Sequence, residues 1–85
     1  MSRQHHYLKI LPKYYRDIER GDKTFEVRFN DRDFKEYDML HLQEWCGGEY
    51  TGREIIAQVS YLLDDPAFCK EGYVIMGIND ITVFN

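Results

Sequence analysis

Long apolar runs are missing from this chain of 85 residues. No stretch of 18 apolar residues occurs, which excludes a membrane-spanning helix. Cysteine is scarce: Cys46 and Cys69 stand 23 positions apart and fit no metal-ligand spacing. They read as free or buried thiols of a reducing compartment, and no metal or cofactor is expected. The chain has only two prolines and no repeat, linker or low-complexity tract, so solenoid and disordered classes are excluded. The opening Met1-Ser2-Arg3-Gln4-His5-His6 lacks the apolar stretch of a secretory signal, and the expected compartment is the cytoplasm. What is present is a globular composition, 44% hydrophobic and 31% charged. The length suits one domain, residues 1–85 with a core over 6–84. Such a domain has a small core, which the aromatic content of 15% helps to fill.

Basic residues are also nearly absent from the second part of the chain. The formal net charge is −4, which taken whole argues against a nucleic-acid partner. Residues 1–35, however, carry nine basic and six acidic side chains, a surplus of three. The other fifty carry only Arg53 and Lys70 against nine acids. A basic patch on an acidic body and a scatter of solvated charges both fit this split.

The hydrophobic pattern predicts a mainly β domain of five to six strands with one or two short helices. Strands are expected over 6–11, 23–30, 39–45, 53–63, 73–76 and 81–84, and a helix over 13–20 between Pro12 and Gly21. Tyr14 and Ile18, four apart, mark the apolar face of that helix. In the second strand Phe25, Val27 and Phe29 alternate with Thr24, Glu26 and Arg28. Cys46-Gly47-Gly48-Glu49 and Asn79-Asp80 read as turns. Short strands with close-set turns favour a small antiparallel or mixed barrel, which also hides exposed sheet edges.

The informative stretch is Gly21-Asp22-Lys23-Thr24-Phe25-Glu26-Val27-Arg28. Glu26 and Arg28 lie two apart on one strand face, about 7 Å between Cα atoms, so they can share a ligand or pair together. Arg28 offers planar donors for a phosphate or a base edge. Glu26 can accept hydrogen bonds from amino or hydroxyl groups, and Lys23 adds charge at the mouth of the strand. An exposed salt bridge between Glu26 and Arg28 is the plainer alternative. Tyr7, Tyr14, Tyr15, Tyr50 and Tyr61 are of a type that stacks on bases, although Tyr14 and Tyr61 read as packing residues. His41 has no evident partner in the sequence.

The string Gly21-x-Lys23-x-x-Glu26-x-Arg28 resembles the signature of the ASCH domains of the PUA-like superfamily. The wider pattern resembles one bacterial and phage branch, DUF3850. It is similar in His6-x-Leu8-Lys9, Pro12-x-Tyr14, Asn30-Asp31-Arg32-x-Phe34, Tyr50-Thr51-Gly52-Arg53 and Gly72-Tyr73-Val74-Ile75-Met76-Gly77. The resemblance implies a small PUA-like β-barrel with a cleft beside the first helix, binding RNA or a nucleotide. Lys23, Glu26 and Arg28 would line that cleft, with His6 and Lys9 beside them and Arg32 and Arg53 flanking it. Two departures stand out: Tyr37 where the family often has glycine before the aspartate matching Asp38, and Phe29 where it often has a basic residue.

A catalytic ASCH branch resembles an amidohydrolase that deacetylates modified cytidine with a lysine, a threonine and a glutamate. Lys23 matches the lysine, while the threonine's place falls at Glu26. Three functions therefore stand as expectations: an RNA- or nucleotide-binding module first, an amidohydrolase of acylated nucleosides second, and a small protein-interaction module third. No membrane partner is expected, and a monomer is the default.

Overall fold

The computed structural model describes residues 2–85. Its elements are β1 (His5–Ile10), α1 (Pro12–Glu19), β2 (Phe25–Phe29), β3 (Met39–Cys46), β4 (Glu49–Leu63) and β5 (Tyr73–Phe84). The strands form one sheet in the order β1-β3-β4-β5-β2, curled into a half-barrel. β1 pairs with β3 in parallel, and the other three pairings are antiparallel. The mainly β domain expected from the sequence is therefore present, with five strands and one helix.

The concave side holds the core. Leu8 and Ile10 of β1, Leu40 and Leu42 of β3, Ile55, Ala57 and Val59 of β4, and Val74, Met76 and Ile78 of β5 are all buried. Helix α1 closes the hollow. Its first turn is set by Pro12, whose missing N–H and fixed φ suit a helix start. It buries Tyr15 and Ile18, three apart, rather than the Tyr14–Ile18 pair that the spacing predicts. Tyr15 is fully buried and donates its hydroxyl to Asn85 Oδ1 at 2.9 Å, so the helix is tied to the chain's last residues. Burial raises the pKa of this phenol, against the opposing pull of the Arg53 guanidinium.

Two strands depart from expectation. Residues 73–84 make one continuous strand instead of two, because Asn79-Asp80 forms a bulge and not a turn. Asp80, at φ 50°, takes up the extra residue while pairing with β4 resumes on either side. A second bulge between Val59 and Tyr61 reverses the facing of β4. Val59 is buried, whereas Tyr61, expected as packing, stands on the outside. The hairpin between β3 and β4 turns through Gly47 and Gly48, both at positive φ, the backbone that a two-residue turn of right-twisted strands requires.

The loop from Asn30 to Asp38 is pinned by a buried polar pair. His6 Nε2 lies 2.8 Å from Asp38 Oδ2, and Asp38 also accepts the N–H groups of Gln4 at 3.1 Å and Lys35 at 3.0 Å. Burial pushes the Asp38 pKa up, but the His6 bond, these two N–H donors and the His6 charge together hold it below the usual carboxylate range.

Candidate functional site

β1 and β2 are the two edges of the sheet. The Thr24 carbonyl accepts from Ile78 N–H at 3.0 Å, and Asn30 N–H donates to the Gly72 carbonyl at 2.8 Å. With the register of β2 against β5, this points the backbone groups of Phe25, Val27 and Phe29 towards the open edge. Side-chain cations meet the carbonyls along this opening. Arg28 Nη2 donates to Lys9 O at 2.7 Å, Arg32 Nη1 to Tyr7 O at 2.9 Å, and Lys23 Nζ to Phe25 O at 2.6 Å. Arg28 and Arg32 thus span the seam between the two edges, where no backbone ladder runs.

Glu26 sits at the centre of this arrangement. It is only 4% exposed, so it faces the hollow of the half-barrel, while Phe25, Val27 and Phe29 face outward. One carboxylate oxygen takes the Lys23 ammonium and the other takes Arg28 Nη2 at 3.0 Å. The exposed salt bridge considered from the sequence is thereby replaced by a buried carboxylate held between two cations. Such a group is costly to leave unpaired, so each cation is fixed in place by the other's partner.

These residues line a cleft of about 720 Å³ between α1, the end of β1 and the turn into β2. That volume falls within the range of small-molecule sites. Ile10, Leu11, Tyr14, Phe25 and Val27 supply apolar wall, and Lys9, Asp17, Asp22, Lys23, Glu26 and Arg28 supply charge. The Lys23 ammonium lies 5.6 Å from the ring centre of Tyr14 and 5.1 Å from that of Phe25, so two aromatic rings lie near it. Both rings are 44% exposed. The three cations and three carboxylates of the lining cancel in formal charge. Asp17 is held below the usual carboxylate range, first by the Lys13 hydrogen bond and also by that from Arg20.

Of the residues expected at the site, Lys9, Lys23, Glu26 and Arg28 meet at this cleft. The Lys9 ammonium itself rests 3.8 Å above the Trp45 ring. Arg32 lies further along the seam, on Tyr7. His6 is buried against Asp38 and the Phe34 ring, outside the cleft, so its part in the motif is to anchor the loop. Arg53 does not flank the cleft. It contacts Glu19 at 3.3 Å, the buried Glu44 at 3.5 Å and Asn85 at 3.1 Å, over the Tyr15 ring. Thr24 is exposed and is absent from the cleft lining.

Sequence reasoning missed Tyr14 and Phe25 as cleft walls. Tyr14 shared a phase with Ile18 that an eight-residue helix is too short to fix. It also missed the meeting of His5 and His41, whose ring nitrogens lie 2.9 Å apart, with Glu54 at 3.3 Å on the other side of His41. Among the described residues, no three His, Cys, Asp or Glu side chains converge as a metal-ligand set. No helix among them is long and apolar enough to cross a membrane.

A family model described as "Domain of unknown function (DUF3850)" matches residues 5–78. The chain is also similar to an "Uncharacterized 12.9 kDa protein in GpA 3'region" of Escherichia phage P2, with 36% identity over 59 residues. That alignment covers 69% of this chain and 54% of the phage protein, so the chain spans about half the length of this relative.

Proposed function

The chain belongs to the DUF3850 family, and from that premise and the cleft we propose that it is an RNA- or nucleotide-binding module of the ASCH, PUA-like type. The observation that carries this reading is the pair of half-exposed rings, Tyr14 and Phe25, that lie 5.6 and 5.1 Å from the Lys23 ammonium in the cleft they share with the buried Glu26. A planar base entering the cleft would stack on one of these rings or on both, and stacking contributes about 1–3 kcal/mol per base. Lys23 and Arg28 have their donors held in known directions by Glu26, Phe25 O and Lys9 O. Polar edges of the base would meet groups already in position.

Charge decides which part of a nucleotide the cleft reads. Its lining is formally neutral, and each of its cations already has a partner. A continuous phosphate backbone finds no free row of cations here, so the base and not the phosphate chain carries the affinity. The expected salt dependence is correspondingly shallow, on the order of one phosphate contact, with a slope near −0.7 for a single strand. Titrating fluorescein-labelled single-stranded RNA and free nucleotides at two salt concentrations tests this. Saturable binding with a shallow slope supports the reading, and no binding at low salt refutes it.

The second reading is hydrolysis of an acylated nucleoside, favoured by the direct contact of Lys23 with Glu26 inside the cleft. The ammonium is bonded to a carboxylate and a carbonyl, which is the setting of a held cation more than of a free nucleophile. Release of cytidine from acetylcytidine, lost in Lys23→Ala, would establish it. We place the protein's action in the cytoplasm, where Cys46 and Cys69, both free, stay as thiols.

A further inference from the structure

The outer face of the sheet over β2, β5 and β4 carries a block of apolar side chains. Antiparallel register places Phe25 opposite Gly77 and Gly77 opposite Tyr61. The next row runs Val27, Ile75 and Leu63, and the third joins Phe29 to Tyr73. Directly opposed residues share a face, so these positions form one contiguous patch. Phe25 is 44%, Val27 49%, Phe29 55% and Tyr61 62% exposed, and Ile75, Leu63 and Tyr73 are partly exposed. No member of the patch is charged, in a chain of which 31% is charged.

We propose that this face is a homodimer interface, covered in solution by a second copy of the chain related by a twofold axis. Area supports a second copy. A large aromatic side chain offers about 150–250 Å² when fully bared, so the patch presents on the order of 500 Å². Two copies together then bury on the order of 1,000 Å², the lower bound for a specific interface. Charge disfavours nucleic acid as the occupant, since β4 and β5 belong to the strongly acidic part of the chain. Phe25 and Val27 also line the cleft, so the second copy would reach its mouth.

Sedimentation velocity from about 1 µM to about 1 mM, the range over which so small an interface dissociates, tests the proposal. The mass should rise with concentration from the monomer value of 10.2 kDa towards twice that figure. Tyr61→Lys and, separately, Val27→Lys should each raise the dissociation constant at least tenfold, by placing a charge in the apolar contact. Glu49→Lys at the exposed β3–β4 hairpin should leave it unchanged. Circular dichroism of each variant confirms that it folds. A chain that stays at 10.2 kDa across the range overturns the proposal, including the outcome in which Phe29 and Tyr61 resonances respond to added RNA. A dimer indifferent to both lysine substitutions overturns it as well.

Discussion

Arg28 Nη2 donates to the Lys9 carbonyl at 2.7 Å and so joins the two edge strands of a sheet that does not close through its backbone. The same guanidinium nitrogen is 3.0 Å from the buried Glu26. One side chain thus fixes the cleft wall and bridges the seam of the half-barrel. The family motif then has two roles that are physically linked, because the cations that order the cleft also cap the carbonyls of the open edges.

Arg28→Ala is expected to lower stability by about 2 kcal/mol, since it strips the buried Glu26 of one cation. Arg32→Ala, whose side chain is 44% exposed, should cost under about 1 kcal/mol. Because both arginines span one seam, the double variant should lose about 0.5 kcal/mol or more beyond the sum. Urea denaturation of the four proteins measures this, and strict additivity would mean that the seam is not a cooperative unit.

Tyr37 lies at φ 75° and is 65% exposed, a left-handed backbone that a side chain with Cβ disfavours. Tyr37→Gly should relieve this conformation and stabilise the protein by up to about 1 kcal/mol, the greater freedom of glycine in the unfolded chain offsetting part of the gain. Thermal melting gives the sign, with an upward shift of about 4–8 °C per kcal/mol for a domain of this size.

Gly72, at φ 82°, has the opposite sensitivity. A Cβ there would come within 2.7 Å of Phe29 Cε1. Gly72→Ala should therefore destabilise by about 1–3 kcal/mol, from backbone strain and displacement of the Phe29 ring. If its melting temperature equals that of the parent, the contact between this turn and Phe29 is not a tight one.

Asp38 supplies a pH dependence. Its pKa is depressed in the folded protein relative to the unfolded chain, so its contribution is fully present above the unfolded value, about 3.9. That contribution is lost as pH falls below it through the folded value. Stability should therefore drop in this acid window, and part of the drop should vanish in Asp38→Asn. That variant should itself be less stable at neutral pH by about 3 kcal/mol, through loss of the buried carboxylate's bonds to His6, Gln4 and Lys35. Denaturant melts at a series of pH values measure both effects.

The β class, the helix and the motif strand were legible because alternation and helix punctuation are local signals. Which face of β2 turns inward was not. Phe25, Val27 and Phe29 alternate with Thr24, Glu26 and Arg28, and alternation alone fits either row inward; this edge strand turns Glu26 into the hollow, where Lys23 and Arg28 compensate its charge. Tyr14 and Tyr15 are adjacent on a two-turn helix, and only the sheet beneath decides which is buried. The buried partner of His6, Asp38, is 32 residues away, a pairing that no local pattern announces. Asn79-Asp80 carries turn chemistry, and the bulge it forms depends on the register of β4.

The proposal that the cleft binds a base is tested most directly by the affinity of Tyr14→Ala for single-stranded RNA and for free nucleotides, set against the parent protein. Tyr14 is 44% exposed and its hydroxyl makes no hydrogen bond among the described residues, so its loss should leave the melting temperature within a few degrees. Loss of one stacking ring should weaken binding by about 5- to 150-fold, the equivalent of 1–3 kcal/mol. Parent-like affinity in Tyr14→Ala would contradict the claim that this cleft holds the base.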